Sequence, residues 1–292
     1  MDVGVFSHNT EFGMATDQLA VAAEDRGFES LWVSDHSHIP AQRAVPYPGG
    51  GDLPKHFFHM ADPFVSLTAA AVATETIKLG TCVCLLTERE PISLAKTVAT
   101  LDRMSSGRFQ FGVAGGWIAE AMENHGTPFK KRWKVVRERV EAMKAIWAQE
   151  EASYDGEFVK FDRIISHPKP LQKPHPPILM GSASELARKR AVRYCDGWIP
   201  VDSRIDDMPA AIASLRREVD QAGRDPASIP ISILCVDQPT PDTLRHYRDL
   251  GAARAVVAVP VEGADGVLPF LDRFADVIPE VRAAGFGPSA PK

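Results

Sequence analysis

Eight short apolar runs, each followed by a longer amphipathic stretch, dominate this sequence. The runs are bounded by Gly, Asp or Pro, which is typical of βα units around a parallel sheet, and eight such units close into a barrel. The predicted strands are 2–6, 30–34, 77–85, 109–113, 177–180, 197–200, 230–235 and 254–259. The predicted helices are 16–26, 62–74, 91–105, 130–148, 184–195, 208–222, 240–249 and 264–277. The sequence therefore predicts an α/β fold of the TIM (β/α)₈ barrel class.

Length does not by itself decide the number of domains, because α/β barrels of about 250 residues commonly form one domain. We expect a single domain over 1–292, since no linker or internal repeat divides the chain. Two insertions interrupt the regular spacing, at 37–61 and at 151–176, and the second contains a hairpin-like stretch at 154–158. Loops this long in a compact barrel are usually lids or binding loops. The tail 285–292 is expected to be frayed.

Charge and apolar patterning exclude several classes of partner. The net charge is -5 and the basic residues are dispersed, so no basic stripe is available for a nucleic acid. No apolar run approaches the roughly 18 residues of a membrane span, and the first residues lack a secretory pattern, so we expect a cytoplasmic protein. The cysteines fit free thiols in a reducing compartment; they are Cys82, Cys84, Cys195 and Cys235.

Polar residues that could act in catalysis stand at the carboxyl ends of the predicted strands, where barrels build their active sites. His8 follows the first strand, Asp35 and His36 follow the second, and Trp117 follows the fourth. An acid beside an imidazole favours proton transfer by His36, although a structural histidine is the alternative interpretation. A metallohydrolase site using His36 and His38 is disfavoured, because such a site also needs His and Asp ligands from later strands, and those strand ends offer Gly, Pro and Cys instead. We expect no metal.

Two glycine-containing turns could hold a flat, phosphorylated ligand. Gly181, Ser182 and Ala183 lie between a strand and a helix, whose first amides are free to bind phosphate. The same residues also fit simple capping of that helix by Ser184. Gly115 and Gly116 do not form a dinucleotide fingerprint; they either make room for a flat ligand or serve a tight strand-to-helix turn.

Several segments together resemble the bacterial luciferase-like monooxygenase superfamily, and in particular its branch of deazaflavin (coenzyme F420)-dependent oxidoreductases. In their order and spacing over about the first 200 residues they are specific. The matching segments are 27–36 (GFESLWVSDH), 77–81 (IKLGT), 99–109 (ATLDRMSSGRF), 111–117 (FGVAGGW), 168–170 (PKP), 176–181 (PPILMG) and 196–198 (DGW).

The resemblance implies a flavin or deazaflavin ring across the rim of the barrel, with its phosphate near Gly181 to Ala183. It also implies a bulge with a non-prolyl cis peptide on the third strand, at Cys82 and Val83, and a histidine facing the ring, here His36. The implied cofactor-binding residues are Thr81, Cys82, Val83, Gly115, Gly116, Gly181, Ser182 and Ala183. His8 and Trp117 are expected to contact substrate.

Departures from the family pattern bear on the cofactor and the activity. Relatives close to luciferase place an arginine near the phosphate where this chain has Gly115, so tight binding of FMN is less supported. Deazaflavin enzymes that oxidise sugar phosphates place a tryptophan and a glutamate where this chain has Pro40 and Trp117. That activity is not expected.

The resulting hypothesis is hydride transfer between coenzyme F420 and an unidentified small organic substrate, with His36 moving a proton and Asp35 orienting it or holding the loop. One alternative is a monooxygenase that takes reduced FMN from a partner reductase. Another is a non-catalytic flavin- or deazaflavin-binding protein, and the metallohydrolase is a third. By resemblance, the chain is expected to form homodimers through the helices at 62–74 and 91–105.

Overall fold

The computed structural model describes residues 1–236 and 239–283. The tail that was predicted to be frayed, 285–292, lies outside the described residues. The eight strands predicted for the barrel are confirmed, and their ends differ from the prediction by at most two residues. In chain order the strands are β1 Asp2–Ser7, β2 Ser30–Val33, β3 Lys78–Leu85, β4 Phe109–Ala114, β5 Ala152–Asp155, β6 Lys160–Ile164, β7 Ile178–Gly181, β8 Gly197–Ile199, β9 Ser232–Cys235 and β10 Arg254–Ala258.

The eight predicted helices are also present, and the structure adds two short ones, α4 and α10, that the sequence analysis missed. Each has six residues, which is too short to show an apolar stripe of helical period. The helices are α1 Thr16–Asp25, α2 Pro63–Ala73, α3 Pro91–Met104, α4 Ala119–Asn124, α5 Arg132–Ala148, α6 Glu185–Tyr194, α7 Met208–Gln221, α8 Pro241–Asp249, α9 Ala264–Ala275 and α10 Ile278–Ala283.

Parallel pairing joins eight strands in the order β8, β7, β4, β3, β2, β1, β10, β9. The two edge strands then approach each other through isolated parallel bridges, Trp198 with Ile231 and Val201 with Leu234. The Leu234 amide donates to the Pro200 carbonyl at 2.8 Å across this seam. The sheet is therefore a nearly closed barrel, and the carboxyl ends of all eight strands meet at one mouth.

Helix α3 shows how local sequence produces an element and its packing. Pro91 suits the first turn because it has no amide to satisfy there, and the Glu90 carboxylate accepts hydrogen bonds from the amides of Ile92 and Ser93 at 2.9 and 2.7 Å. One stripe of the helix is buried against α2, α5 and β4. Its apolar members are Leu94, Ala95, Val98, Ala99 and Leu101.

The barrel has two separate apolar cores. The larger core lies between the strands and the surrounding helices. The smaller core fills the inside of the barrel and takes one buried side chain from each of seven strands, which are Phe6, Trp32, Cys82, Leu179, Ile199, Leu234 and Val256. Because this inner core closes the barrel, it forms an apolar floor beneath the mouth.

The insertions also have defined structure. Residues 151–176 contain the antiparallel pair β5 and β6, so the predicted hairpin is confirmed. The 37–61 insertion, hereafter the lid, leaves the end of β2 and returns to the end of β1, where the Ala61 amide donates to the Asn9 carbonyl at 2.8 Å. The lid therefore runs over the mouth between β1 and β2.

The structure also bears on membrane-spanning helices and on the state of the cysteines. Within 1–236 and 239–283, we find no helix with both the length and the apolar content needed to cross a bilayer. All four cysteines are buried free thiols, in agreement with the sequence-based expectation.

Candidate active site

His36 lies half-buried just beyond β2, at the mouth of the barrel. Its ring meets Phe57 and Trp117 edge-on, with centroids 5.5 and 6.5 Å away. In the described part of the chain neither ring nitrogen has a hydrogen-bond partner, and Nδ1 is buried. Burial lowers the pKa of His36 to about 4, against the opposing effect of Asp35. At neutral pH the ring is therefore uncharged and can accept a proton or donate a hydrogen bond.

A stacked pair of imidazoles lies near His36. His8, after β1, stacks on His56 of the lid with centroids 3.9 Å apart. Burial lowers the pKa of His8 to about 3, and repulsion by His56 and His36 adds to the shift. Burial also lowers the pKa of His56. His8 Nδ1 and His56 Nε2 are buried without partners, so each is available to a bound molecule.

Aromatic side chains of the lid connect these histidines with the opposite side of the mouth. Phe57 lies 6.1 Å from His8 and 5.4 Å from Tyr47, and Tyr47 lies 6.1 Å from Trp117. The structure thus brings His8, His36 and Trp117 into one cluster, as their strand-end positions suggested. Sequence reasoning missed the lid members; the run KHFFH at 55–59 was the signal available for them.

Asp35 is nearly inaccessible to solvent, and its carboxylate is bound by β3 and by Arg89. Its carboxylate accepts hydrogen bonds from the Leu85 amide at 3.0 Å and from Arg89 at 2.8 and 3.0 Å. Arg89 also binds Asp62 at 2.9 Å, and Asp62 caps α2. No hydrogen bond joins Asp35 to His36 among the described residues. The contacts of Asp35 therefore hold the ends of β2, β3 and α2 together.

Ser37 is the centre of a polar cluster at the base of the lid. Its hydroxyl donates to Glu88 Oε2 at 2.8 Å and lies 3.0 Å from His38 Nδ1 and 3.1 Å from His125 Nε2. Ligand atoms of His38, Glu88 and His125 lie within 4.8 Å of one another, a combination that the sequence analysis did not foresee. Because the Ser37 hydroxyl stands among them, the three groups form a hydrogen-bonded hub around it.

The third strand is irregular at the mouth. Its pairing with β4 shifts register between Thr81 and Cys84, and the Cys82–Val83 peptide is cis, so both features expected from the resemblance are confirmed. Thr81 is fully buried and donates to the Gly112 carbonyl at 2.7 Å. Burial raises the pKa of the Cys82 thiol to about 12, so the thiol is neutral.

Gly181, the last residue of β7, must be a glycine because Val83 of β3 lies against it. A Cβ on Gly181 would come within 2.7 Å of Val83 Cγ1, so only glycine lets β7 approach the bulge. Ser182 has a φ of +88° and its carbonyl accepts from the Trp198 indole at 2.9 Å. The Ser184 hydroxyl accepts from the Ala187 amide at 3.2 Å and caps α6, so the capping interpretation holds.

Gly115 and Gly116 form the turn after β4. Gly116 has a φ of +71°, which favours glycine. A Cβ on Gly115 would lie 3.6 Å from both Arg132 and Trp133 at the start of α5. Gly116 therefore serves the turn, whereas a Cβ on Gly115 would make only ordinary contacts with this basic and aromatic surface and with Val136 at 3.4 Å.

A model of one protein family, described as luciferase-like monooxygenase, matches residues 7–262 of the chain. An uncharacterized protein of Mycobacterium tuberculosis is 39% identical over 280 residues, which are 94% of this chain and 98% of that protein. The FMNH₂-dependent dimethylsulfone monooxygenase of Pseudomonas putida is 29% identical over 200 residues, 68% of this chain and 52% of that enzyme.

A solved structure with the same fold is an F420-dependent secondary alcohol dehydrogenase in complex with an F420-acetone adduct. Its TM-score is 0.73 at 20% identity, and the match covers 96% of this chain and 99% of that one. At this level of identity the likeness supports the fold.

Proposed function

The chain belongs to the luciferase-like monooxygenase family, and on that premise we propose that it transfers a hydride between coenzyme F420 and a small organic substrate. The observation that carries the proposal is the uncharged, unpartnered ring of His36 beside the bulge of β3. Strands β2 and β3 are neighbours, with Val33 paired to Thr81, so His36 and the bulge emerge together at the mouth.

The residues at the mouth fit a flat ring with a phosphorylated tail. The bulge supplies a platform at Cys82 and Val83, and the absence of a side chain on Gly181 lets Val83 pack closely against β7. The residues we assign to the cofactor are Thr81, Cys82, Val83, Gly115, Gly116, Gly181, Ser182 and Ala183. When bound, coenzyme F420 supplies the centre that gives or takes a hydride.

His36 moves the proton that accompanies hydride transfer. With its pKa lowered to about 4, the imidazole is uncharged at neutral pH and acts as a base toward a substrate hydroxyl. In the opposite direction the protonated imidazole returns this proton to the carbonyl oxygen as the substrate receives the hydride. His8, His56 and Trp117 surround the space next to His36 and position the substrate, while the lid shields it from water.

FMN chemistry is the second candidate, because a relative at 29% identity is named as FMNH₂-dependent. In that case a partner reductase supplies the reduced flavin, and the same cluster excludes water from the site. If this chain binds either ring but turns over no substrate, it is the non-catalytic binding protein considered as an alternative above.

Parallel titrations of the purified protein with coenzyme F420 and with FMN test the proposal. We expect tighter binding of coenzyme F420 and, with secondary alcohols, a change in deazaflavin absorbance. Oxygen uptake with reduced FMN and a reductase would support the monooxygenase instead. If neither compound binds, the oxidoreductase assignment is wrong.

A further inference from the structure

Three side chains that can bind metals converge on one hydroxyl at the base of the lid. His38 belongs to the lid, Glu88 lies in the turn after β3, and His125 follows α4. Their ligand atoms lie within 4.8 Å of one another. The Ser37 oxygen stands among them, 2.8 to 3.1 Å from each. The cluster therefore has a single centre that all three ligands face.

Buried hydrogen bonds fix the backbone that carries these ligands. The Thr127 hydroxyl donates to the Thr87 carbonyl at 2.7 Å, which joins the segment after α4 to the turn after β3. The Asp35 carboxylate accepts from the Leu85 amide at 3.0 Å, which joins the start of the lid to the end of β3. The three ligands are therefore brought together by the fold itself.

The carboxylate of the cluster has no cationic partner. Glu88 is only 7% exposed, and no lysine or arginine forms an ion pair with it within 1–236 and 239–283. The adjacent Arg89 binds Asp35 and Asp62 instead. Burial raises the pKa of Glu88 against the hydrogen bond from Ser37, and repulsion by Asp35 adds to the rise. A cation at the centre of the cluster would stabilise this buried charge.

One of the imidazoles also has the outer contact that orients metal ligands. His38 faces the centre with Nδ1, and its Nε2 lies 2.9 Å from the side-chain amide of Asn124. A metal-binding histidine usually donates its other ring N–H to a neighbouring oxygen, which fixes the ring and its tautomer. Half a turn of the Asn124 amide brings its carbonyl oxygen to Nε2–H and leaves the Nδ1 lone pair for an ion.

The donor set indicates which kind of ion fits. Two imidazole nitrogens and one carboxylate oxygen are typical of Zn²⁺ and related transition metals, with a fourth position left for another oxygen. Mg²⁺ and Ca²⁺ prefer oxygen ligands alone. An ion at the position of the Ser37 oxygen requires each ligand atom to move inward by roughly 1 Å, because zinc–ligand distances are about 2.0–2.2 Å. His125 is exposed and His38 is half-buried, so both rings have room to make this movement.

We propose that His38, Glu88 and His125 bind a divalent transition metal of the zinc type, with the Ser37 hydroxyl turned aside or taken as a fourth ligand. The ion joins the lid to the turn after β3 and to the end of α4, so it fixes the lid over the mouth. The ligand set differs from the pair of His36 and His38 that the sequence disfavours. The inference does not depend on which redox cofactor the chain binds.

Metal binding is measured directly on the purified, untagged full chain after treatment with a chelator. Zn²⁺ is titrated in competition with a chromophoric chelator, and Co²⁺ is added separately because its visible absorption reports tetrahedral coordination. Mg²⁺ is the oxygen-preferring comparison. The ligand variants are Glu88→Gln and His125→Ala. The controls are His246→Ala, which removes an exposed histidine from α8, and His36→Ala, which removes the neighbouring histidine at the mouth.

We expect wild type to take up one Zn²⁺ per chain and to give a tetrahedral Co²⁺ spectrum, without competition from Mg²⁺. Each ligand variant should weaken Zn²⁺ binding by at least about tenfold, since even the loss of an outer contact typically costs that much. His246→Ala and His36→Ala should bind Zn²⁺ as wild type does. Zn²⁺ should raise the melting temperature of wild type and of both controls, and should not raise that of the ligand variants at the same concentration.

Three results would overturn the inference. Wild type that takes up neither Zn²⁺ nor Co²⁺ leaves the cluster as a hydrogen-bonded hub alone. Binding by both ligand variants within twofold of wild type assigns the metal to another part of the chain. A loss of binding in His36→Ala as large as that in His125→Ala assigns it to the histidines of the mouth. The cofactor titrations are separate measurements, so failure of the metal site leaves the proposed function intact.

Discussion

At the scale of single residues, the proposed chemistry depends on imidazoles that stay uncharged. Burial lowers the pKa of His36, of His8 and of His56, and repulsion by His56 and His36 lowers that of His8 further. Each neutral ring offers one donor and one acceptor, so the three together can recognise a polar group without a fixed charge. This property belongs to the cluster and to no single histidine.

Replacing His36 by alanine should lower kcat at least tenfold, because general acid-base assistance typically contributes about 10² to 10⁴. The fold should survive, since the ring makes no hydrogen bond in the described part of the chain. Steady-state kinetics and circular dichroism check the two statements. His246→Ala, at an exposed position on α8, is the control; an unchanged kcat for His36→Ala would remove His36 from the mechanism.

The pH dependence of the proposed hydride abstraction from substrate should reflect the lowered pKa of His36. The base form is the neutral ring, which is present above a pKa of about 4 instead of above the ordinary 6.5. We therefore expect kcat/KM to stay level from pH 8 down to about pH 5 and to fall only below that. Steady-state measurements of kcat/KM from pH 8 to below pH 5 test this expectation. An inflection near pH 6.5 would contradict a buried imidazole that is neutral at that pH.

At the scale of elements, Arg89, which lies between β3 and α3, connects the end of β2 with the start of α2. It binds the buried Asp35 after β2 and Asp62 at the start of α2, and it lies 5.0 Å over the Phe64 ring. The hydrogen bonds to Asp35 raise the pKa of Arg89 despite its burial. The lid begins directly after Asp35, so this bridge also fixes where the lid starts.

Arg89→Met should destabilise the protein by about 3 kcal/mol, because it leaves Asp35 buried without a counterion. Arg26→Met removes an ion pair whose acid, Asp272, is 63% exposed, and should cost less than about 1 kcal/mol. Urea unfolding gives both numbers. Adding Asp35→Asn should recover part of the loss, and a cost for Arg89→Met no larger than that for Arg26→Met would disprove the role of the bridge.

The contact between β3 and β4 depends on a glycine at the bulge. A Cβ on Gly112 would stand 2.0 Å from the Thr81 carbonyl oxygen, which is backbone and cannot rotate away. Gly112→Ala should therefore destabilise the fold by about 2 kcal/mol. Gly263→Ala, where a Cβ would meet nothing within 4 Å, serves as the comparison. Similar unfolding midpoints for the two variants would refute this account of the bulge.

At the scale of the whole molecule, α2 presents an apolar face to solvent. Val65 and Val72 are each 73% exposed and stand two turns apart on the same side of the helix. Met104 of the neighbouring α3 is 47% exposed. We propose that this face forms the interface of the homodimer that the family resemblance implies.

We expect wild type to sediment as a dimer of 31.9 kDa chains and the double variant Val65→Lys/Val72→Lys to sediment as a monomer. Two lysines on the apolar face would have to be desolvated in the interface, which is unfavourable. Analytical ultracentrifugation measures the masses. Wild type that is monomeric at micromolar concentration would rule out α2 as the interface.

The strand and helix pattern could be predicted because each element carries its own period and its own end signals. Helices α4 and α10 could not, since six residues hold less than two turns of pattern. In the site, strand-end position was enough to suggest His8, His36 and Trp117. His56 and Phe57 required the path of the lid, which no local pattern encodes.

The sequence by itself determined the eightfold alternation, the barrel and the end of the barrel where chemistry could occur, because these follow from local apolar periodicity and from the geometry of parallel strands. Only the tertiary structure decided which charges meet. Asp35 and Arg89 are distant in sequence, and whether such residues are paired depends on how separate strands and helices pack in the barrel. Electrostatic energy depends on distance in space, so the bridge from Asp35 through Arg89 to Asp62 can be identified only in the folded molecule.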